Sequence, residues 1–141
     1  ITLHNIAASN KQEIIKFQLN TVNSGGSKRV PVTNHYMYTY DNPEVIDVEA
    51  YALDTYLSNE DFDLVFIDIE GSEYDVINKM IEDDTLSYIN KLYIETHEYC
   101  LKDIDALDDI GFKQKLIKLM GKNVYMFRYY QHEEFERLNV H

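Results

Sequence analysis

The spacing of apolar positions divides the chain into alternating elements. "ITLHNIAAS" reads as a strand, with Ile1 and Leu3 on one face and Thr2 and His4 on the other. After the turn "SNKQ", "EIIKFQLN" alternates again and places Ile15, Phe17 and Leu19 on a common face, which predicts a second strand. "TVNSGGSKRVPVTNHY" is rich in Gly, Ser and Asn, contains Pro31, and predicts a loop. "EVIDVEAYA" predicts a strand and "LDTYLSNE" a short helix.

The clearest pattern follows. Leu64, Val65, Phe66 and Ile67 form an unbroken apolar run, which suits a strand covered on both faces in a parallel sheet. Val76, Ile77, Met80 and Ile81 then recur at helical spacing, behind Ser72 and Asp75 at the separation of a capping box. "KLYIETHEY" predicts another strand. Leu101, Ile104, Leu107 and Ile110 predict a helix that Gly111 ends. "KQKLIKLMGKNVYMFRYY" reads as two strands around the turn "MGKN", and "QHEEFERLNVH" as a polar tail, helical or frayed. Strands alternating with helices imply right-handed crossovers and a parallel sheet. The fold class expected is therefore a three-layer α/β domain with a C-terminal antiparallel hairpin, spanning residues 1–130, with 131–141 as the tail.

Charge narrows the partners. Of 141 residues, 13 are Lys or Arg and 25 are Asp or Glu, a formal charge of -12 with no basic cluster to offset it. Such a surface repels phosphate backbones and anionic lipid heads, so neither nucleic acid nor a membrane is an expected partner. Cys100 is the single cysteine, which rules out an intramolecular disulfide, and no Cys-based zinc pattern occurs. With no apolar run of membrane length and no signal peptide, the expected compartment is the cytoplasm.

Candidate chemistry sits where strands end. In an open α/β sheet, ligands bind beyond the carboxyl ends of the strands. "IDIEG" presents Asp68 and Glu70 there, and "IETHE" presents Glu95 and His97. Each pair is spaced by two, so its members share a face. One crossover separates the two strands, so four ionisable groups can converge on one crevice. An acid next to a helix start also serves as a cap or dipole partner, which is the competing reading for Asp68 and Glu70.

"LDTYLSNEDFDLVFIDIEGSEYDVINKMI" resembles the FkbM-type methyltransferases, which carry a "tLD" stretch, a strand ending "K-I-D-V-E-G-A-E", a helix, and a strand ending in Glu. Leu53–Asp54, "FIDIEGSE" and "LYIETHE" correspond to these, "LHNIAASN" is similar to the family's "n-a-A-l-s" strand, and "SGGS" resembles its Gly/Ser-rich loop; the resemblance covers Ile1 to Met120. Phe66 replaces the usual Lys, and Ser72 the usual Ala. The resemblance implies a class I, Rossmann-like fold, S-adenosylmethionine as cofactor, and methyl transfer to a hydroxyl of a small molecule or glycan sugar. It implies Asp68 as the base, also touching the cofactor, and Ala7 and Ala8 as the adenine wall. Glu95 and His97 would orient the acceptor or hold a divalent ion, with oxygen-rich ligation favouring Mg²⁺ over Zn²⁺. Glu70 and Glu73 match motif positions without an assigned role.

The family's Gly-rich first loop and its ribose-holding acid precede the matched segment. Neither occurs in this chain, which has no Gly-x-Gly and whose adjacent glycines are Gly25–Gly26. The expectation is that the first strands of the domain lie upstream and that this segment carries the acceptor side. Two readings stand beside it: a catalytically silent methyltransferase-like binding or scaffold domain, and a divalent-metal module built on Asp68, Glu70, Glu95 and His97.

Overall fold

The computed structural model describes residues 1–20, 27–30, 44–57, 60–97, 108–128 and 136–137. The expected helix across Leu101, Ile104 and Leu107, Cys100, the Gly25–Gly26 turn and most of the tail lie outside them.

Four strands make the first sheet, in the order β1 (Ala7–Ser9), β4 (Glu44–Ala52), β2 (Glu13–Leu19), β3 (Lys28–Val30). β1 runs parallel to β4 from Ala7↔Ala50 onward, and β4 pairs antiparallel with β2 from Glu13↔Ala50 to Leu19↔Glu44. The alternation in "EIIKFQL" is realised, since Ile15 is buried and Ile14 exposed. The first expected strand shrinks to Ala7–Ser9: Ile1 and Leu3 are fully solvent-exposed and lie before the register with β4 begins. Part of the expected loop is instead β3, which joins β2 antiparallel through Phe17↔Arg29. Ser27 anchors its start by accepting the Asn20 amide on its hydroxyl at 2.9 Å.

The second sheet has the order β5 (Val65–Ile67), β6 (Leu92–Thr96), β7 (Val124–Arg128), β8 (Glu136–Arg137). β5, β6 and β7 are mutually parallel, and β8 is antiparallel to β7. Helix α1 (Asp54–Leu57) precedes β5, α2 (Glu73–Glu82) and a 3₁₀ turn (Thr85–Tyr88) link β5 to β6, and α3 (Asp109–Met120) leads into β7. The described residues thus form a mixed α/β structure with two four-stranded sheets and three α-helices.

The core lies on one face of the second sheet. Tyr74, Val76, Ile77 and Met80 of α2 pack with Ile67, Leu92, Ile94, Val124 and Met126 of the strands and with Phe112 and Leu116 of α3. Each such side chain, fully withdrawn from water, contributes about 1.5–3 kcal/mol. The expectation that β5 is covered on both faces fails, because Leu64 and Phe66 are more than half exposed while Ile67 is buried.

The expected hairpin at "MGKN" is also replaced. "KQKLIKLM" belongs to α3, because Phe112 and Leu116, four apart, both insert into the core. Gly111 opens this helix and does not end a preceding one. Its amide donates to the Asp108 carboxylate at 2.9 Å, and a Cβ on Gly111 would collide with that carboxylate. Gly121, with φ 60°, closes α3, and the chain enters β7 parallel to β6. The antiparallel partner of β7 comes from Glu136–Arg137, inside the segment expected to be a helical or frayed tail.

Candidate active site around a buried histidine

The register of the second sheet explains how the site residues meet. Ile67 of β5 pairs with Ile94 of β6, so Asp68 and Glu95 follow side by side at the carboxyl ends of adjoining parallel strands. Beyond Asp68 the chain turns through two consecutive left-handed residues, Glu70 at φ 51° and Gly71 at φ 102°. Glycine adopts this freely, whereas Glu70 does so at a cost of about 1–2 kcal/mol. The turn brings two backbone N–H groups to face the first residue of α2.

That residue is Glu73, which is completely buried. Its carboxylate accepts the amide of Ile69 at 3.2 Å and that of Gly71 at 3.0 Å. Ser72 occupies the N-cap position, but its side chain makes no capping hydrogen bond, so the expected capping box does not form. Glu73 serves the turn from inside the helix instead.

The imidazole of His97, one residue past β6 and 1% exposed, completes the arrangement. Its Nδ1 lies 2.8 Å from Glu73 Oε1. Because Glu73 accepts, Nδ1 carries the proton and Nε2 is left as the basic nitrogen. Around Nε2 stand Glu95 Oε1 at 3.7 Å, Glu70 Oε2 at 3.8 Å and Asp68 Oδ1 at 3.9 Å. These separations exceed hydrogen-bond length and act through charge. The four residues expected at the strand ends are therefore brought together, with Glu73 as a fifth.

The electrostatics follow from the crowding. Burial raises the Glu70 carboxyl above its ordinary range, and the charges of Asp68, Glu73 and Glu95 add to that while His97 opposes it. Burial raises Glu95 as well, Asp68 and Glu73 adding to it and His97 again opposing. For His97 burial pulls down, but the Glu73 hydrogen bond and the charges of Glu73, Glu70 and Asp68 outweigh it, and the imidazole is a stronger base than usual. Glu70 Oε2 is buried and has no hydrogen-bond partner among the described residues.

A cleft of about 510 Å³ adjoins the cluster. One wall is the first sheet, with Ala7 and Ala8 of β1 and Ile15 and Phe17 of β2; the other includes Asp68 and Glu70. The expected adenine-wall residues and two of the expected carboxylates thus line one cavity, of a volume usual for small-ligand sites. Asp68 is the accessible member of the cluster, with its side chain 44% exposed.

Sequence reasoning gave Glu73 no role. The signal was present: Glu73, Ile77 and Met80 fall on one helical stripe, and a carboxylate on a core stripe needs buried partners. Asp68, Glu73 and His97 each also offer one ligand atom within 4.8 Å of the others, a donor set compatible with a divalent cation.

No helix among the described residues is long and apolar enough to cross a membrane. No curated protein and no solved structure matched the chain. The family model described as the Methyltransferase FkbM domain matches residues 1–118, well over half of the chain, and the chain belongs to that family.

Proposed function

We propose that this chain carries the acceptor side of an S-adenosylmethionine-dependent O-methyltransferase acting on a hydroxyl of a small molecule or glycan sugar. The observation that carries this reading is the convergence of Asp68, Glu70, Glu95 and the Glu73–His97 pair beside the cleft. The residues present fit the cofactor. Ala7 and Ala8 offer a flat, small-side-chain wall to an adenine ring, and Asp68 and Glu70 offer negative charge to a cation. When bound, the cofactor supplies an electrophilic methyl group on its sulfonium.

The chain's own task is then to orient the acceptor hydroxyl and remove its proton. Asp68, the accessible member of the cluster, takes the proton. His97 Nε2 stands 3.9 Å from Asp68 Oδ1 and acts on it through charge. Glu73 holds that imidazole in place through Nδ1 and balances its charge. Glu70 and Glu95 stand on either side of His97 Nε2 and help to orient the acceptor.

Calorimetric titration with S-adenosylhomocysteine tests the cofactor part, and absence of heat at millimolar ligand would sink it. Asp68→Asn should keep the fold, with stability unchanged within about 0.5 kcal/mol. It should lower methyl transfer by about 10²–10⁴-fold. Binding of S-adenosylhomocysteine without turnover on any hydroxylated acceptor would favour the silent-domain reading. The donor set of Asp68, Glu73 and His97 allows one refinement, in which these side chains would hold a divalent cation such as Mg²⁺ and the ion would supply Lewis acidity to the acceptor hydroxyl. Activity undiminished by EDTA would exclude that refinement.

A further inference from the structure

The two walls of the cleft carry opposite charge. Asp68 and Glu70 stand on one, and Arg29 of β3 is the one basic side chain among the described residues lining the other. Arg29 pairs in register with Phe17, so its side chain emerges on the face of the first sheet that also carries Ile15 and Glu13. Its Nη2 reaches Glu13 Oε1 at 3.1 Å. Glu13 lies four residues from Phe17 along β2, about 14 Å of strand. The Arg29 stem is therefore stretched along the apolar floor at Ile15, and its guanidinium is delivered to a fixed place.

Glu13 is itself held. Its Oε1 accepts the Ser9 hydroxyl at 2.9 Å, and Lys11 lies 3.7 Å from its Oε2. Among the described residues Glu13 is the one partner of Arg29, and a guanidinium has five N–H donors. Most of that capacity remains for something in the cleft. The surroundings make this choice of residue specific. A chain of charge -12 repels anions over most of its surface, so an anionic group enters only where a cation is placed for it.

We propose that Arg29 is an anion-reading residue of the cleft, taking a carboxylate or phosphate of the bound ligand while the hydroxyl to be methylated faces Asp68. Resting on the methyltransferase reading, this specifies the acceptor class as acidic, such as a uronic acid or a sugar phosphate. A carboxylate on the cofactor is the other source of the same chemistry, and the test separates the two.

Thermal-shift and calorimetric titrations of the full chain would use glucuronate and inorganic phosphate as acidic probes and methyl glucoside as the neutral control. S-adenosylhomocysteine would be compared with methylthioadenosine, which lacks the amino-acid carboxylate. For an acidic acceptor, glucuronate or phosphate binds saturably and methyl glucoside does not, and Arg29→Met weakens the anion about tenfold or more, as expected for loss of a charge-assisted contact. Lys16→Met removes the same charge from an exposed pair between Lys16 of β2 and Asp47 of β4 and should leave binding unchanged. For the cofactor source, S-adenosylhomocysteine binds more tightly than methylthioadenosine and Arg29→Met abolishes the difference. If neither anion binds the wild-type chain saturably and no such difference exists, the proposal fails. It fails equally if Arg29→Met, folded by its melting curve, binds every probe as the wild type does. Should S-adenosylhomocysteine alone fail to bind, the methyltransferase reading falls, and the glucuronate and phosphate titrations still decide the role of Arg29.

Discussion

The two sheets are built from similar strands and treated in opposite ways. The second has one face sealed by α2 and α3, so that Leu92, Ile94, Val124 and Leu116 have no solvent exposure. In the first, Ile15 and Ala50 are the buried apolar residues described, and the face bearing Phe17 and Leu19 lines the cleft. The sealed sheet fixes the carboxylates and the imidazole to within the precision of a packed core, and the open one leaves room for a ligand. The ionisable cluster and the cleft volume are thus assigned to different parts of the chain, joined where Asp68, Glu70, Ala7 and Ala8 line one cavity.

The largest effect that should expose this division is truncation on the sealed side. Ile77→Ala is expected to lower the free energy of unfolding by about 2–5 kcal/mol, whereas Ile46→Ala, on the cleft wall and 37% exposed, should cost less than about 1 kcal/mol. Urea denaturation of both variants measures the contrast, and equal losses would mean that the first sheet is packed as tightly as the second. Next in size is Glu73→Ala. It removes the acceptor for His97 Nδ1 and for the amides of Ile69 and Gly71, and the expected loss is about 3 kcal/mol. NMR of the imidazole nitrogens should show loss of the single tautomer, which a purely steric role for Glu73 would not produce.

The smallest effect has the opposite sign. Glu70→Gln removes a half-buried charge whose Oε2 has no hydrogen-bond partner among the described residues, and should stabilise the fold near neutral pH by about 1 kcal/mol. The pH dependence fixes the cause. Glu70 and Glu95 have folded pKa values raised above 4.5, and His97 above 6.5. A raised group contributes stability that is fully present below its unfolded pKa and is lost as pH rises through its folded value. The wild type should therefore lose stability relative to Glu70→Gln as pH rises from 4.5 through the folded pKa of Glu70, in chelated buffer. A difference independent of pH would point to packing and not to charge.

Much of this organisation was legible in the sequence, and the exceptions have physical reasons. β2, β4, α2 and β6 announce themselves because apolar residues recur along one face of each at a clean period, which α2 and β6 bury and the two strands of the first sheet leave largely open. α3 was misread because Leu116, Ile117, Leu119 and Met120 spread apolar residues around the helix, so that alternation with lysines mimics a strand. β3 has three residues, two of them basic, and forms because the edge of β2 is available, a fact that no local pattern carries. In the site, Asp68, Glu70, Glu95 and His97 could be found from their spacing at strand ends. Glu73 lies inside a helix, where its place on the core stripe signals a buried carboxylate but not its partners, two backbone amides and the His97 ring.

The left-handed pair at Glu70 and Gly71 has a consequence for how this segment tolerates change. Since main-chain amides, and not neighbouring side chains, seat the carboxylate that orients the imidazole, the interval from Asp68 to Glu73 works as a measured length. Letters within it can drift, as Ser72 shows by capping nothing. Insertion or deletion of a single residue before Glu73 would leave Glu73 on the core stripe of α2 but carry the Ile69 and Gly71 amides away from its carboxylate, and would disturb the cluster even in a protein that still folds.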